Sequence, residues 1–274
     1  MAYRTEVKPG VKQGMNQTVT MQRRQFLRYM QGGLIASLGT GLATHWRTSG
    51  ANAAEPLTIQ FLGHTCFLIR GSGVRVLVNP FRPAGCTAKH AAPRVATDLV
   101  LISSRKLDVG AVEGLPGKPK LLFEPGPYQT NGLQFQGIRT LHDRQNGFRF
   151  GTNVVWKWKQ GGLNLVHMGG IASPISLEQK ILMGTPDILF IPVGGTAETY
   201  TPEEAKAAIA TLQPKLVIPT YYRTGAADPN SCSLQTVDDF LAVMSGTPVR
   251  RGKTTLSLSP SALPKGMVIE VLQV

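Results

Sequence analysis

The chain has 274 residues, 42% of them hydrophobic, and a mean hydropathy of −0.03, enough for one sizeable core and not obviously two. Its formal net charge is +13, but residues 1–53 hold seven of the 29 basic residues and one of the 16 acidic ones, leaving 22 and 15, a net of +7. That excess suits an anionic ligand or an acidic partner surface. With no basic helix or aromatic–basic motif beside it, it points away from nucleic acid.

The first segment reads as an address. Arg23-Arg24-Gln25-Phe26-Leu27-Arg28 has the form of a twin-arginine export motif. The apolar run Gly32–Ala43 is short of the ~20 residues needed to span a bilayer and suits a signal core. Ala51-Asn52-Ala53 supplies a small-x-small cleavage pattern, with cutting expected before Ala54. The expected division is a signal peptide and leader over 1–53 and a single domain over 54–274. The translocase of that route is then a partner. The destination is a periplasm or a thylakoid lumen, with the protein soluble or membrane-associated, or held by an uncleaved anchor.

Along the mature chain, 57–62, 65–70 and 74–79 read as short strands separated by turn residues. The apolar run 98–103 reads as a strand buried on both faces. Strands are expected at 120–124, 133–141, 152–159 and 163–167. Ser176-Leu177-Glu178-Gln179 has capping-box spacing and opens a short helix. Thr201-Pro202-Glu203-Glu204 opens a second, whose core face carries Ala205, Ala208, Ile209 and Leu212. Buried strands at 187–193 and 215–219 flank it, and a helix near 234–244 with strands near 254–259 and 267–274 ends the chain. Such a pattern suggests an α/β (α+β) fold of two packed sheets with helices outside. Cys66, Cys86 and Cys232 lack Cys-x-x-Cys spacing, which excludes a zinc knuckle or thioredoxin motif. Two could pair in an oxidising compartment, or all three could stay as isolated thiols.

The ordered motifs carry a family likeness. Phe61-Leu62-Gly63-His64-Thr65-Cys66, Leu77-Val78-Asn79-Pro80-Phe81, Glu124-Pro125-Gly126, Thr140-Leu141-His142-Asp143, His167-Met168-Gly169-Gly170, Ile191-Pro192-Val193-Gly194-Gly195 and Ile218-Pro219-Thr220-Tyr221 follow one another over about residues 57–225. Together they resemble the lactonase-like (UlaG-like) branch of the metallo-β-lactamase superfamily. The resemblance implies a four-layer αββα sandwich with one or two metals, usually zinc or manganese, at one edge. In that family a metal-bound hydroxide attacks an ester, lactone, amide or phosphodiester.

The family's metal ligands are mostly replaced. Where it has His-x-His-x-Asp-His, this chain has Ser104, Lys106, Asp108 and Val109. Gly170 stands at the bridging Asp and Tyr221 at the last His, so only Asp108 and His142 survive as ligand positions. A tetrahedral zinc needs about four donors. The expectation is therefore a degenerate, non-catalytic site with no cofactor, in which Lys106 pairs with Asp108 where the metal was; the plainer alternative leaves Lys106 and Arg105 pointing to solvent. The old cleft would bind a protein partner or an anionic small molecule, lined by Arg105, Lys106, Arg144, Tyr221, Tyr222 and Arg223. His64 and His167 occupy family positions and read as structural. The alternative is a metal-dependent hydrolase with a rearranged mononuclear site drawn from Asp108, His142, His167, His64 and Cys66, using zinc or manganese.

Overall fold

The computed structural model describes residues 55–274, and the twin-arginine motif, apolar run and cleavage site lie outside them. In chain order the strands and helices are β1 (Leu57–Gly63), β2 (Cys66–Gly71), β3 (Val74–Val78), β4 (Leu99–Leu101), β5 (Lys120–Leu122), β6 (Gly126–Thr130), β7 (Leu133–Leu141), β8 (Thr152–Gln160), β9 (Leu163–His167), α1 (Leu177–Met183), β10 (Ile188–Pro192), α2 (Pro202–Leu212), β11 (Leu216–Thr220), α3 (Val237–Val243), β12 (Val249–Lys253), β13 (Thr255–Leu258) and β14 (Val268–Leu272). They form a six-stranded sheet, β13-β1-β2-β3-β4-β5, and an eight-stranded one, β12-β14-β11-β10-β9-β8-β7-β6.

Side-chain alternation along each strand explains why two sheets must stack. On β2, Phe67 and Ile69 face the core between the sheets, while Cys66 and Leu68 face outward. On β10, Ile188 and Phe190 point into that core, and Leu189 and Ile191 point to the helices on the other side. A strand apolar on both faces needs cover on both. Over the eight-stranded sheet the cover is helical, with Ala205, Ala208, Ile209 and Leu212 of α2 and Phe240 of α3 in the same cluster as Leu189 and Val217. Over the six-stranded sheet it comes from loops, where Phe81, Val95, Val112 and Leu115 close on Leu77 and Val100. Proline and glycine at Pro83, Gly85, Pro93, Gly110 and Gly114 keep those loops from becoming α-helix. The architecture is the two-sheet sandwich the family resemblance implied.

The helix starts follow their sequence signals. Thr201 Oγ1 accepts from the Glu204 N–H at 3.2 Å, and the Glu204 carboxylate accepts from the Thr201 N–H at 2.8 Å. Such a cap contributes about 1 kcal/mol. Ser176 and Gln179 do the same for α1.

A disulfide joins Cys86 to Cys232 across 146 residues, and Cys66 is the free, buried thiol. Cys232 packs with Val109, Tyr221, Ala227 and Leu234, so the bridge ties the 84–90 segment to the loop that follows Tyr221. Reduction is expected to lower stability by about 2–4 kcal/mol. A urea midpoint unchanged by reductant would contradict this.

His167 is a core residue, which removes it from the donors of the rearranged metal site. Its ring lies 5.9 Å from that of Phe67 and 5.3 Å from that of Phe190. Nε2 donates to the Thr65 carbonyl at 3.2 Å, and Nδ1 accepts from the Gly169 N–H at 3.2 Å. Burial holds its pKa down to about 3. The unfolded chain binds a proton there below about pH 6.5 that the native state refuses until about pH 3. Stability contributed by this neutral ring is therefore present above pH 6.5 and declines on acidification. His167→Gln is expected to shrink the loss of stability between pH 7 and pH 4, measured by urea unfolding. An equal loss in the variant would assign the acid sensitivity to other groups.

Candidate functional site

The topology gathers the site at one edge. β1, β3 and β4 run the same way, as do β7, β9, β10 and β11, so the loops leaving their C-terminal ends meet. His64 follows β1, Lys106 and Asp108 follow β4, His142 follows β7, Gly170 follows β9, Glu198 follows β10 and Tyr221 follows β11.

Asp108 and Tyr221 form the first pair. The Tyr221 hydroxyl donates to Asp108 Oδ2, and the same phenolic oxygen lies 3.4 Å from Glu198 Oε2. Burial and the two carboxylates push the phenol pKa well up, so it keeps its proton. His64 Nε2 stands 3.7 Å from Asp108 Oδ2, and its ring packs edge-on against Tyr221 with centroids 4.2 Å apart. Burial alone would raise the Asp108 pKa. The nearby His64 ring, the Lys106 ammonium and the Tyr221 hydroxyl outweigh it and hold the carboxyl well below the usual range. His64 thus belongs to the cleft: the positive φ of 58° that suits its tight turn also aims its ring at Asp108.

Lys106 pairs with Glu198, not with Asp108. Its Nζ donates to Glu198 Oε2 and lies 5.0 Å from the centre of the Phe150 ring. The expected Lys106–Asp108 pair is corrected by a geometric fact: Asp108 is already engaged by Tyr221, and Glu198 reaches Lys106 from the opposite loop. The chain does not leave Lys106 free in solvent either, since its side chain is 33% exposed and that of Glu198 15%.

His142 completes the group. It is fully buried, its Nε2 lies 3.9 Å from Glu198 Oε2, and neither ring nitrogen has a hydrogen-bond partner. Burial, with help from Lys106, lowers its pKa against the raising effect of Glu198, Asp108 and Asp143, so it is neutral at pH 7. The adjoining loop is folded around Asp143, whose carboxylate accepts from the N–H groups of Gln145, Gly147, Arg149 and Phe150 at 2.7–3.1 Å. That turn sets Phe150 beside both His142 and Lys106. A Cβ on Gly170 would land against His142 Nε2 and 3.0 Å from Tyr221 Cε1. A longer side chain at that position would enter the centre of this cluster.

Other expected cleft residues lie elsewhere. Val109 is buried behind Tyr221. Ser104 Oγ accepts a long bond from the Lys106 N–H at 3.4 Å. Arg105 is exposed and paired with Glu124 at 2.9 Å. Arg144 is taken by Glu204 and the carbonyls of Thr196 and Thr199, where it pins the Glu198 loop to α2. Tyr222 turns into the helical side of the core and donates to the Leu272 carbonyl at 3.3 Å. With Arg223 it lines a separate cavity of about 580 Å³. Their removal from the cleft follows from Tyr221: three successive residues leaving a strand cannot all face one side. Cys66 faces the loop-covered side of the six-stranded sheet.

Ser104, Lys106, Val109, Gly170 and Tyr221, at the positions the resemblance gives to metal ligands, supply no adequate donor set for a metal. Among the described residues no three His, Cys, Asp or Glu side chains close around one point. The remaining donors differ in kind: two imidazole Nε2 atoms without partners face two carboxylates, a chemistry suited to a divalent cation. The carboxylates are engaged by Lys106 and Tyr221. A double-mutant cycle on Lys106 and Glu198 is expected to give a coupling of about 1–3 kcal/mol, larger than the cycle on Lys106 and Asp108. The reverse order would contradict the pairing described.

Residues 58–221 match the family described as Beta-lactamase superfamily domain. The chain is 28% identical over 200 residues to a UPF0173 metal-dependent hydrolase of Thermococcus onnurineus, covering 62% of this chain and 88% of that protein. It is 29% identical over 196 residues to one of Pelotomaculum thermopropionicum, covering 61% and 85%. A crystal structure from Thermotoga maritima, named as a Zn-dependent hydrolase of the metallo-β-lactamase superfamily, superposes with a TM-score of 0.64 at 28% identity, covering 79% of this chain and all of that one. These names overturn the expectation that no cofactor is involved, because relatives of this similarity are called metal-dependent and point to a metal. The fold and the family match agree: the chain belongs to the metallo-β-lactamase superfamily.

Proposed function

We propose that this protein is a metal-dependent hydrolase with a rearranged mononuclear site, acting on a lactone, ester or phosphodiester. One observation carries the reading: the buried, unpartnered Nε2 atoms of His64 and His142 face Asp108 and Glu198 at 3.7 and 3.9 Å. Asp108 and His142 keep family ligand positions, and His64 and Glu198 are the further residues suited to hold a metal. A divalent ion bound there would polarise a carbonyl or phosphoryl oxygen and lower the pKa of a bound water. Tyr221, protonated and buried, is placed to donate a hydrogen bond to a substrate or product oxygen once Asp108 is engaged elsewhere.

The names of the relatives support hydrolysis over a purely non-catalytic role. The Leu62-Gly63-His64 opening supports placement in the lactonase-like branch. Export by the twin-arginine route to a periplasm or thylakoid lumen is part of the same proposal, and the Cys86–Cys232 disulfide supports an oxidising destination.

A second reading has its own observation. Lys106 lines a cavity of about 490 Å³ with Arg105, Phe123, Glu124, Phe150 and Thr152, a setting in which an anionic small molecule or an acidic segment of a protein partner would meet an ammonium and aromatic faces. Assays of lactone, ester and phosphodiester hydrolysis with added zinc or manganese separate the two. Metal-stimulated turnover is expected, falling by at least about 10–100-fold in Asp108→Asn and His142→Ala. Turnover absent on all three substrate classes, or unchanged in both variants, would overturn the hydrolase reading in favour of binding.

A further inference from the structure

We propose that the apolar ridge of α1 and the bare outer face of β6–β8 beside it form a contact surface for a bilayer with anionic headgroups.

The apolar part is a helix face left without cover. Leu177 and Ile181 lie one turn apart on α1 and are 74% and 70% exposed, and Leu182 next to them is 39% exposed. Residues at i and i+4 share a helix face, so the first two make one ridge. The helix that carries them is held firmly. Ser176 and Gln179 cap its start, Gln179 Nε2 donates to the Arg139 carbonyl at 2.9 Å, and Met183 is buried in the core at its far end. Single exposed apolar residues are ordinary, but a contiguous set rimmed by polar groups marks a contact surface.

The charged part lies beside the ridge. Trp156 and Trp158 of β8 point into the core between the sheets, so alternation turns Lys157 and Lys159 to the outer face. With Gln129, Gln134, Gln136 and Asn164 they line a groove of about 710 Å³, walled by Ile181 and Leu182. Its lining holds two lysines and no acid. Lys157 Nζ donates to the Leu182 carbonyl at 2.8 Å, and among the described residues neither lysine is in an ion pair. On α1 the charge of Glu178 is offset by Lys180, and Asp187, beside Asn164, is held by Lys215 at 3.2 Å.

This layering matches a lipid surface, with acyl chains for the ridge and headgroup phosphates for the ammonium and amide groups. A protein partner fits less well, since it would bury the lysines at the centre of its interface, where lysine is depleted. A bilayer leaves them in the hydrated headgroup layer. Among the described residues no helix is long and apolar enough to cross a membrane, so the contact is superficial. Gln136 and His142 are separated by most of β7, roughly 20 Å of strand, which leaves the cleft open to water.

A fluorophore on the ridge of the full chain tests this. Cys66 is buried and Cys86 is bridged to Cys232, so Ile181→Cys supplies an accessible thiol for an environment-sensitive label. Phe148→Cys, at a site 91% exposed on the cleft side, is the control. Vesicles of equal phosphatidylcholine and phosphatidylglycerol are expected to shift emission to the blue at position 181 and not at 148. Lys157→Gln with Lys159→Gln should weaken that response at least about tenfold in lipid concentration. Lys159→Glu alone, at an exposed site, serves the same purpose should the double variant fold poorly. No shift at 181, equal shifts at both labels, or a response unchanged in the lysine variants would overturn the proposal. So would a blue shift at 181 that grows with protein concentration in the absence of vesicles, which would assign this face to a second copy of the chain.

Discussion

The ion pair between Lys106 and Glu198 determines the character of the cleft. It joins the loop after β4 to the loop after β10, across the gap between the two sheets. An ammonium brought this close to a buried imidazole and two carboxylates must be paired, because an isolated charge there would lose hydration without compensation. The pair also accounts for His142. With Glu198 committed to Lys106, His142 has a carboxylate nearby and no hydrogen bond, and burial keeps it neutral. Tyr221 plays the matching part for Asp108, so both acids are engaged by other side chains while the Nε2 atoms of His64 and His142 have no hydrogen-bond partner.

That arrangement depends on loops held from behind. Arg144 clamps the Glu198 loop to the first turn of α2. Four backbone N–H groups on Asp143 fix the turn that presents Phe150 to Lys106. The Cys86–Cys232 bridge lies in the cluster that backs Val109 and Tyr221.

Much of the fold was legible because buried strands and capped helices leave strong local marks. Ile188–Pro192 is apolar throughout, and Thr201-Pro202-Glu203-Glu204 announces α2. Two strands escaped notice, β6 and β12, for a shared reason. Both are edge strands; Gly126-Pro127 opens β6, and β12 reads Val-Arg-Arg-Gly-Lys with every residue exposed. Edge positions tolerate proline, glycine and charge, so the hydrophobic alternation that identifies an inner strand is absent. In the site, Asp108, His142, Gly170 and Tyr221 follow the strands whose motifs carry them and meet at one edge. Glu198 could not be read. It is 92 residues from Lys106, in a loop of threonines with no metal-binding spacing. Its one local signal is its place after a buried strand whose C-terminal end meets the same edge. His64 and His167 looked alike in sequence, each at a strand end within two residues of a glycine. Only the fold separates the ring aimed at Asp108 from the ring between Phe67 and Phe190.

The account stands most directly on whether a divalent ion is held in this cleft. Anomalous scattering from crystals of the wild-type protein at saturating zinc measures it. The account predicts one peak in the cleft bordered by Asp108 and His142. Saturating zinc with no peak in that cleft would contradict it.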